Sequence, residues 1–167
     1  MEKVIVKDSR MYSLGVLYDM HTDYFSKVID GISDKDAHNR FNSKANHVAW
    51  LTGSLVQERF ETATLLGIDR KQAADELFKN HQGIKDDVTY PSLNEFKKDW
   101  ITISPLLRTA FLNVSTEKLD SIFTMPGEDF SFPYFDLFAF MMYREANCIG
   151  QIVLYRRLLG YEAMKYM

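Results

Sequence analysis

The sequence predicts an all-α protein, one domain spanning residues 1–167, in which four amphipathic helices pack around a common axis. Three observations support this fold class. Apolar residues recur at alternating intervals of three and four in four long segments, and no comparable segment alternates as a β-strand does, apart from Lys3 to Lys7. Each segment is also roughly 30 Å long at ~1.5 Å per residue, so the four can bury one another.

The first helix is predicted for residues 9 to 32, with Ser9 as its N-cap. Its inward stripe consists of Leu14, Tyr18, His21, Phe25, Val28 and Ile32. The polar segment that follows, residues 33 to 40, contains His38, which is expected to be solvent-exposed, as is His81 in a later loop. Because the stripe is otherwise apolar, His21 is expected to point inward and to need a hydrogen-bond partner.

The second helix is predicted from about Ser43 to Leu66, and Gly67 follows it at the position where a left-handed glycine commonly ends a helix. One face of this helix carries His47, Leu51, Ser54 and Glu58. A long connection, residues 67 to 92, is expected to hold a short helix at Lys71 to Phe78. This connection sets how the second and third helices run relative to one another.

Ser92 is the predicted cap of the third helix, whose apolar stripe consists of Phe96, Trp100, Ile103, Leu107, Ala110 and Val114. Pro105 is expected to bend this helix, because proline removes one helical hydrogen bond. A loop with Pro126-Gly127 leads to a fourth helix from about Phe132 to Leu159, which stops at Gly160. We expect a plain core, with the lining of an apolar cavity as the alternative, for Trp50, Trp100, Phe135, Phe138, Phe140, Met141 and Met142.

Charge and composition exclude several classes of function. The chain has 20 basic and 23 acidic side chains, a net charge of -3, and its cations are scattered, which argues against a nucleic-acid or anionic-membrane partner. The single Cys148 excludes an internal disulfide bond. The N-terminal run is too short for a signal peptide and no apolar run reaches the length of a membrane span, so a cytoplasmic protein is expected.

Two motifs carry a resemblance to a known family. The segment Asn46-His47-Val48-Ala49-Trp50-Leu51 and the pair Glu145-Ala146 with Ile149-Gly150-Gln151 resemble segments of the DinB-like (YfiT-like) four-helix bundles, and the similarity extends over essentially the whole chain. The resemblance implies an up-down-down-up bundle with a long link between the second and third helices. Members of the family are mostly poorly characterised metal-dependent hydrolases, some relatives are thiol S-transferases, and many are dimers, so a homodimer is expected.

The resemblance also implies a degenerate metal site. In the family, a histidine near the start of the second helix joins a His-x-x-x-His pair that runs into Gly-Gln on the last helix. Here His47 and Gly150-Gln151 match, but Arg144 and Cys148 occupy the positions of the pair. A guanidinium has no lone pair to offer, so the chain is expected to bind no cofactor. The alternative is zinc or nickel held by His47 and Cys148 with Glu145, Glu58 or His21 as third ligand.

Three classes of function remain open at this point. An enzyme, either a DinB-like hydrolase or a thiol S-transferase, would use His47 or Cys148, whose thiol has a cation one turn away. A binding protein would hold a small anionic ligand in a pocket lined by His47, Arg144, Cys148, Gln151, His21 and Glu58. An interaction protein would dimerise through a helical face. The simpler alternatives are a salt bridge from Arg144 to an acidic residue of the second or third helix, and core positions for His47 and Cys148.

Overall fold

The computed structural model describes residues 5–125, 127 and 129–166, and this part of the chain is mostly helical. Its helices are α1 (Met11–Ile29), α2 (Asp34–Ala37), α3 (Val48–Leu65), α4 (Asp75–Phe78), α5 (Leu93–Leu112), α6 (Thr116–Asp120) and α7 (Tyr134–Leu158). A 3-10 turn covers Lys79–His81, and two short strands, β1 (Ile122–Thr124) and β2 (Ser131–Pro133), pair antiparallel. Lys3, where the predicted extended segment begins, and Pro126 of the predicted loop lie outside the described residues.

The four long helices enclose the core. Helix α1 packs against α5 and α7, and helix α3 packs against the same two helices, so each long helix has two long neighbours. Phe25 of α1 stacks on Trp100 of α5 with ring centroids 3.9 Å apart. The fully buried side chains between the helices include Tyr18, Leu51, Leu55, Ile103, Leu107, Phe111 and Phe138. In the described part of the chain, no helix is both long enough and apolar enough to cross a bilayer.

The starts of three long helices differ from the prediction. Helix α7 begins at Tyr134 instead of about Phe132, because Phe132 lies in β2. Helix α1 begins at Met11 with Arg10, not Ser9, at the N-cap, where the Arg10 side chain is bound to Asp8 and Asp120 instead of capping the helix. Helix α3 begins at Val48, five residues later than predicted, because His47 is its N-cap. The backbone just upstream has positive φ at Phe41 and Asn42, which a helix cannot accommodate.

Three other predicted helix ends are confirmed. Gly67 and Gly160 both have φ of 86°. The amides of each glycine and of the residue after it donate hydrogen bonds to carbonyls in the last turn of the preceding helix, as in a Schellman motif. At the start of α5, the Ser92 hydroxyl accepts from the Glu95 amide while the Glu95 carboxylate accepts from the Ser92 amide. Local capping chemistry therefore fixes where these helices begin and end.

The connections contain the remaining differences. Helix α4 covers only the last four residues of the predicted Lys71 to Phe78 helix, and Phe78 packs against Phe96 and Tyr90. The β1–β2 hairpin was not predicted, and α7 begins directly after β2. Of the aromatic and methionine side chains expected in the core, Phe140 is 55% exposed and is the clear exception.

Candidate functional site

The contact between α3 and α7 places two charged dipeptides opposite each other. Glu58-Arg59 of α3 faces Arg144-Glu145 of α7, and the two ion pairs cross, Arg59 with Glu145 and Arg144 with Glu58. Farther along, the Thr62 hydroxyl donates to the sulfur of Met141, so residue numbers rise along α3 as they fall along α7. The two helices are therefore antiparallel, and one of their two ion pairs is deeper than the other.

The inner pair is fully buried. The Nε and Nη2 groups of Arg59 donate to Oε1 and Oε2 of Glu145 at 2.6 and 2.9 Å, and both side chains have 0% exposure. The guanidinium carbon lies 3.5 Å from the ring centroid of Trp100 and 4.0 Å from that of Tyr18. A bidentate ion pair between two aromatic faces satisfies the charge that burial alone would make costly.

Further hydrogen bonds join this pair to the other long helices. Nη1 of Arg59 donates to the hydroxyls of Thr22 on α1 and Ser104 on α5, at 2.8 and 2.7 Å. Nδ1 of His21 donates to Oε2 of Glu145 at 3.1 Å. Burial alone would raise the pKa of Glu145, but the charge of Arg59 and the hydrogen bonds from His21 and Arg59 hold it below its usual value. Glu145 is thus an ionised, fully engaged carboxylate with a structural role.

The outer pair is partly open to solvent. Nη1 of Arg144 donates to Oε2 of Glu58 at 2.9 Å, and Nη2 donates to the Ser54 hydroxyl at 2.6 Å. The side chains of Arg144 and Glu58 are 27% and 17% exposed. Burial raises the pKa of Glu58 to about 7, and Glu145 adds repulsion, although the charge of Arg144 opposes both. Near neutral pH, the partner of this guanidinium is therefore only partly ionised.

Cys148 lies one helical turn after Arg144 and is 6% exposed. Burial raises the pKa of its thiol in spite of the charge on Arg144, and the carboxylates of Glu58 and Glu145 act in the same direction as burial. The cation one turn away therefore does not produce the thiolate that a nucleophile requires. Cys148 has the surroundings of a small core residue.

His47 lies in different surroundings from Arg144. It precedes Ser54 by seven residues, which is roughly 10 Å along a helix axis. Its ring contacts those of His38 and Tyr90 at centroid distances of 5.0 and 5.2 Å. Nδ1 accepts the Trp50 amide at 3.0 Å, so in the neutral ring the proton is on Nε2. Burial, followed by the electrostatic influence of His38 and Arg40, lowers the pKa of His47 to about 4.

The other residues of the predicted pocket also lie in separate places. Glu58, Arg144 and Cys148 lie together, whereas His21 belongs to the buried network. Gln151 is exposed on the outer face of α7, where it donates to Asn147 at 2.7 Å. His38 is partly buried, with its Nδ1 donating to a carbonyl of α2, and is not the fully exposed residue that was predicted. His81 is exposed, as predicted.

The donor residues do not fit a zinc or nickel ion. Within the residues that the structure describes, no group of three or more His, Cys, Asp or Glu side chains is arranged to hold a metal. In the alternative ligand set, Glu145 has both oxygens bound, Cys148 has a raised pKa, and His47 uses its free lone pair to cap α3. No chemical step is therefore assigned to a metal at this site.

Arg59 is the important residue that the sequence reasoning missed. It lies between Leu55 and Ala63 at helical spacing, in a stripe of residues that are all buried. A charged residue in register with an apolar stripe, and an acidic residue at the inward position of another helix, together indicate a buried ion pair. These two features of the sequence would have been enough to predict a buried role for Arg59.

Comparison of the chain with protein-family models and with curated proteins gives no match.

A cavity of about 490 Å³ lies away from Arg144, near the end of α1 and the C-terminal segment, and its walls include Lys27, Lys97, Arg156 and Lys165. Arg156 donates there to backbone carbonyls, including those of Val28 and Glu162, and so ties these segments together. The cavity is cationic, which makes it a rival site for an anion.

Proposed function

We propose that this chain is a DinB-like four-helix bundle of up-down-down-up topology that binds a small anionic ligand at Arg144 without a metal. The packing of each long helix on two others, the antiparallel α3 and α7, and the long link holding α4 support this topology. The ligand class is a carboxylate or phosphate, because a guanidinium binds both through paired hydrogen bonds.

The observation that carries the proposal is the Arg144–Glu58 pair. Its guanidinium is partly exposed, and its carboxylate partner has a pKa of about 7. An incoming anion would replace Glu58 as the partner of Arg144, and Glu58 would take up a proton. The Ser54 hydroxyl accepts from Arg144 and still has its own proton to donate to the same anion. The exchange keeps every charge in the site compensated.

A catalytic function has less support. A thiol transferase using Cys148 needs a thiolate, but the pKa of this thiol is raised. A metal-dependent hydrolase needs three metal ligands that the described side chains do not bring together. Ligand binding therefore has more support than catalysis.

Calorimetric titration at pH 6 and pH 8 tests the proposal, with sulfate as a phosphate analogue and tartrate as a carboxylate, because neither anion changes its charge between these pH values. Protonated Glu58 does not compete for Arg144, so affinity should be roughly tenfold higher at pH 6, in line with a carboxyl pKa of about 7. Glu58→Gln should tighten binding at pH 8 and flatten the pH dependence. Arg144→Met should abolish binding, whereas Arg70→Met, which alters an exposed arginine elsewhere, should not.

The two site variants are expected to act in opposite directions, which a general loss of stability would not produce. Equal binding by the wild type and Arg144→Met would overturn the proposal. Binding that is lost in Lys97→Gln but retained in Arg144→Met would move the anion to the 490 Å³ cavity and would also overturn it.

A further inference from the structure

The cavity of about 490 Å³ is enclosed by segments that are far apart in the sequence. Its walls come from the end of α1, the first turns of α5, the end of α7 and residues 163–165 of the C-terminal segment. Its volume is that of a site for a small organic molecule, for which the range is roughly 300 to 1,000 Å³. Ser54, Glu58 and Arg144 are not among its wall residues, so this is a second, separate site.

Positive charge is in excess in the cavity. Its walls hold four cations and one carboxylate, namely Lys27, Lys97, Arg156, Lys165 and Asp30. Lys27 already forms an ion pair with Asp23 at 2.7 Å, whereas within the described residues Lys97 and Lys165 have no ion pair. Three cations therefore remain against one carboxylate, an excess of two positive charges. An occupant with two negative charges would balance this excess.

Arg156 is held in position before any ligand binds. Its Nε donates to the carbonyl of Glu162 at 2.7 Å, and its Nη1 donates to the carbonyls of Val28, at 3.2 Å, and Asp30. Its Nη2 makes no hydrogen bond to any residue that the structure describes, so two N–H groups remain to donate. A cation that is already ordered loses little conformational entropy when a ligand binds to it.

Part of the cavity wall is apolar. Met164 is 7% exposed and lines the cavity beside Ala163. A methionine side chain adapts its shape to the group that it contacts, and the stems of Lys97 and Lys165 add methylene groups next to their ammonium ends. Contacts between partly exposed charges contribute little by themselves, so an inorganic anion should bind weakly here. An anion that also carries an organic group would use both parts of the wall.

We propose that this cavity binds a small phosphate monoester. Its phosphate would contact Lys97, Lys165 and Nη2 of Arg156, and its organic group would lie against Met164. A phosphate monoester has close to two negative charges at and above pH 7, which matches the excess of positive charge in the walls. Lysine binds phosphate as a point charge, and arginine binds it through directed hydrogen bonds. The proposal does not depend on the anion site between α3 and α7.

Two-dimensional ¹H–¹⁵N NMR spectra of the full chain, titrated with phenyl phosphate at pH 8, test the proposal. The amide signals of residues 26–30 and 163–165 report on the cavity and not on Arg144, so an affinity measured from them belongs to this site. We expect these signals to shift along one saturable curve. Sulfate, which has the charge without the ring, and phenol, which has the ring without the charge, should each bind at least tenfold more weakly.

Lysine variants test which cations bind the phosphate. Lys97→Gln and Lys165→Gln should each weaken phenyl phosphate binding about two- to fivefold, and the double variant should weaken it about tenfold. Neither lysine is buried, so the far-ultraviolet circular dichroism spectrum should not change. Lys98→Gln is the matched control, because Lys98 is exposed on the same helix and lies outside the cavity walls.

Three results would overturn the proposal. The first is an unchanged affinity for phenyl phosphate in the double variant. The second is binding of sulfate as tight as that of phenyl phosphate, since the organic group would then contribute nothing. The third is a titration that leaves the amide signals of residues 26–30 and 163–165 in place.

Discussion

Arg59 holds more of the interior together than any other charged side chain described above. It joins α3 to α7 through Glu145, to α1 through Thr22 and to α5 through Ser104. The sequence predicted the inward position of His21, and a salt bridge from Arg144 to an acidic residue of the second or third helix was one of the predicted alternatives. It did not lead to Arg59, because a charged residue beside Glu58 is ordinarily taken for part of a solvated face.

Removal of Arg59 should be severely destabilising. Arg59→Met would leave the buried Glu145 without its main cation, and we expect the free energy of unfolding to fall by about 3 to 5 kcal/mol. The double variant Arg59→Met with Glu145→Met should lose less than the sum of the two single losses, since neither charge is then stranded. Urea unfolding of the four proteins measures both quantities. Additive losses, or a loss below about 1 kcal/mol for Arg59→Met, would contradict the account.

His47 should make the protein sensitive to acid. An unfolded histidine titrates near pH 6.5 and the folded His47 at about 4, so the unfolded state takes up its proton first as pH falls. Its contribution to stability is present above pH 6.5 and is lost towards pH 4, by up to about 3 kcal/mol. His47→Asn keeps a capping side chain and should show a smaller loss between these pH values.

Thermal unfolding at a series of pH values between 4 and 7 measures this difference. His81→Asn is the matched control, because His81 is exposed and asparagine tolerates its positive φ. If the unfolding temperature falls with pH equally in the wild type and in His47→Asn, His47 is not the cause of the acid sensitivity.

At the scale of single elements, the sequence predicted three of the helix ends that local capping determines, but not the Ser9 cap of α1, which is Arg10 in the structure. Gly67, Gly160 and Ser92 end or begin their helices as predicted, since capping requires only a few neighbouring residues. The start of α3 was wrong because histidine is not a common N-cap residue. The hairpin was missed because strands of three residues give too short a pattern to recognise.

Two helical glycines should respond oppositely to the same substitution. A Cβ atom at Gly53 would lie 2.2 Å from Cζ of Phe78, so Gly53→Ala must displace that ring and should cost about 1 to 2 kcal/mol. At Gly150 the space is open, and Gly150→Ala should stabilise α7 by about 0.5 to 1 kcal/mol. Urea unfolding at low protein concentration measures both changes. A stabilised Gly53→Ala variant would show that the contact between α3 and Phe78 is looser than described.

At the scale of the whole molecule, apolar periodicity was sufficient to predict the helical fold class. It could not predict the register between helices, that is, which residues of neighbouring helices lie opposite each other. The predicted pocket assumed that His47 lies level with Arg144 and Cys148. In the structure Arg144 lies level with Ser54 and Glu58, because the Glu58-Arg59 and Arg144-Glu145 dipeptides set the register of α3 and α7. Register depends on pairs of residues far apart in sequence, and one sequence does not reveal such pairs.

Crossed ion pairs between α3 and α7 form the polar interface beside Arg144, and we expect no metal ion to bind there. Elemental analysis of untagged protein, expressed with added zinc and nickel, tests this expectation when it is combined with thermal unfolding in the presence and absence of a chelator. We expect less than about 0.1 metal ion per chain and an unchanged unfolding temperature, since no donor set in the described residues would supply metal-binding energy. One zinc or nickel ion per chain, with a lower unfolding temperature after chelation, would contradict this expectation.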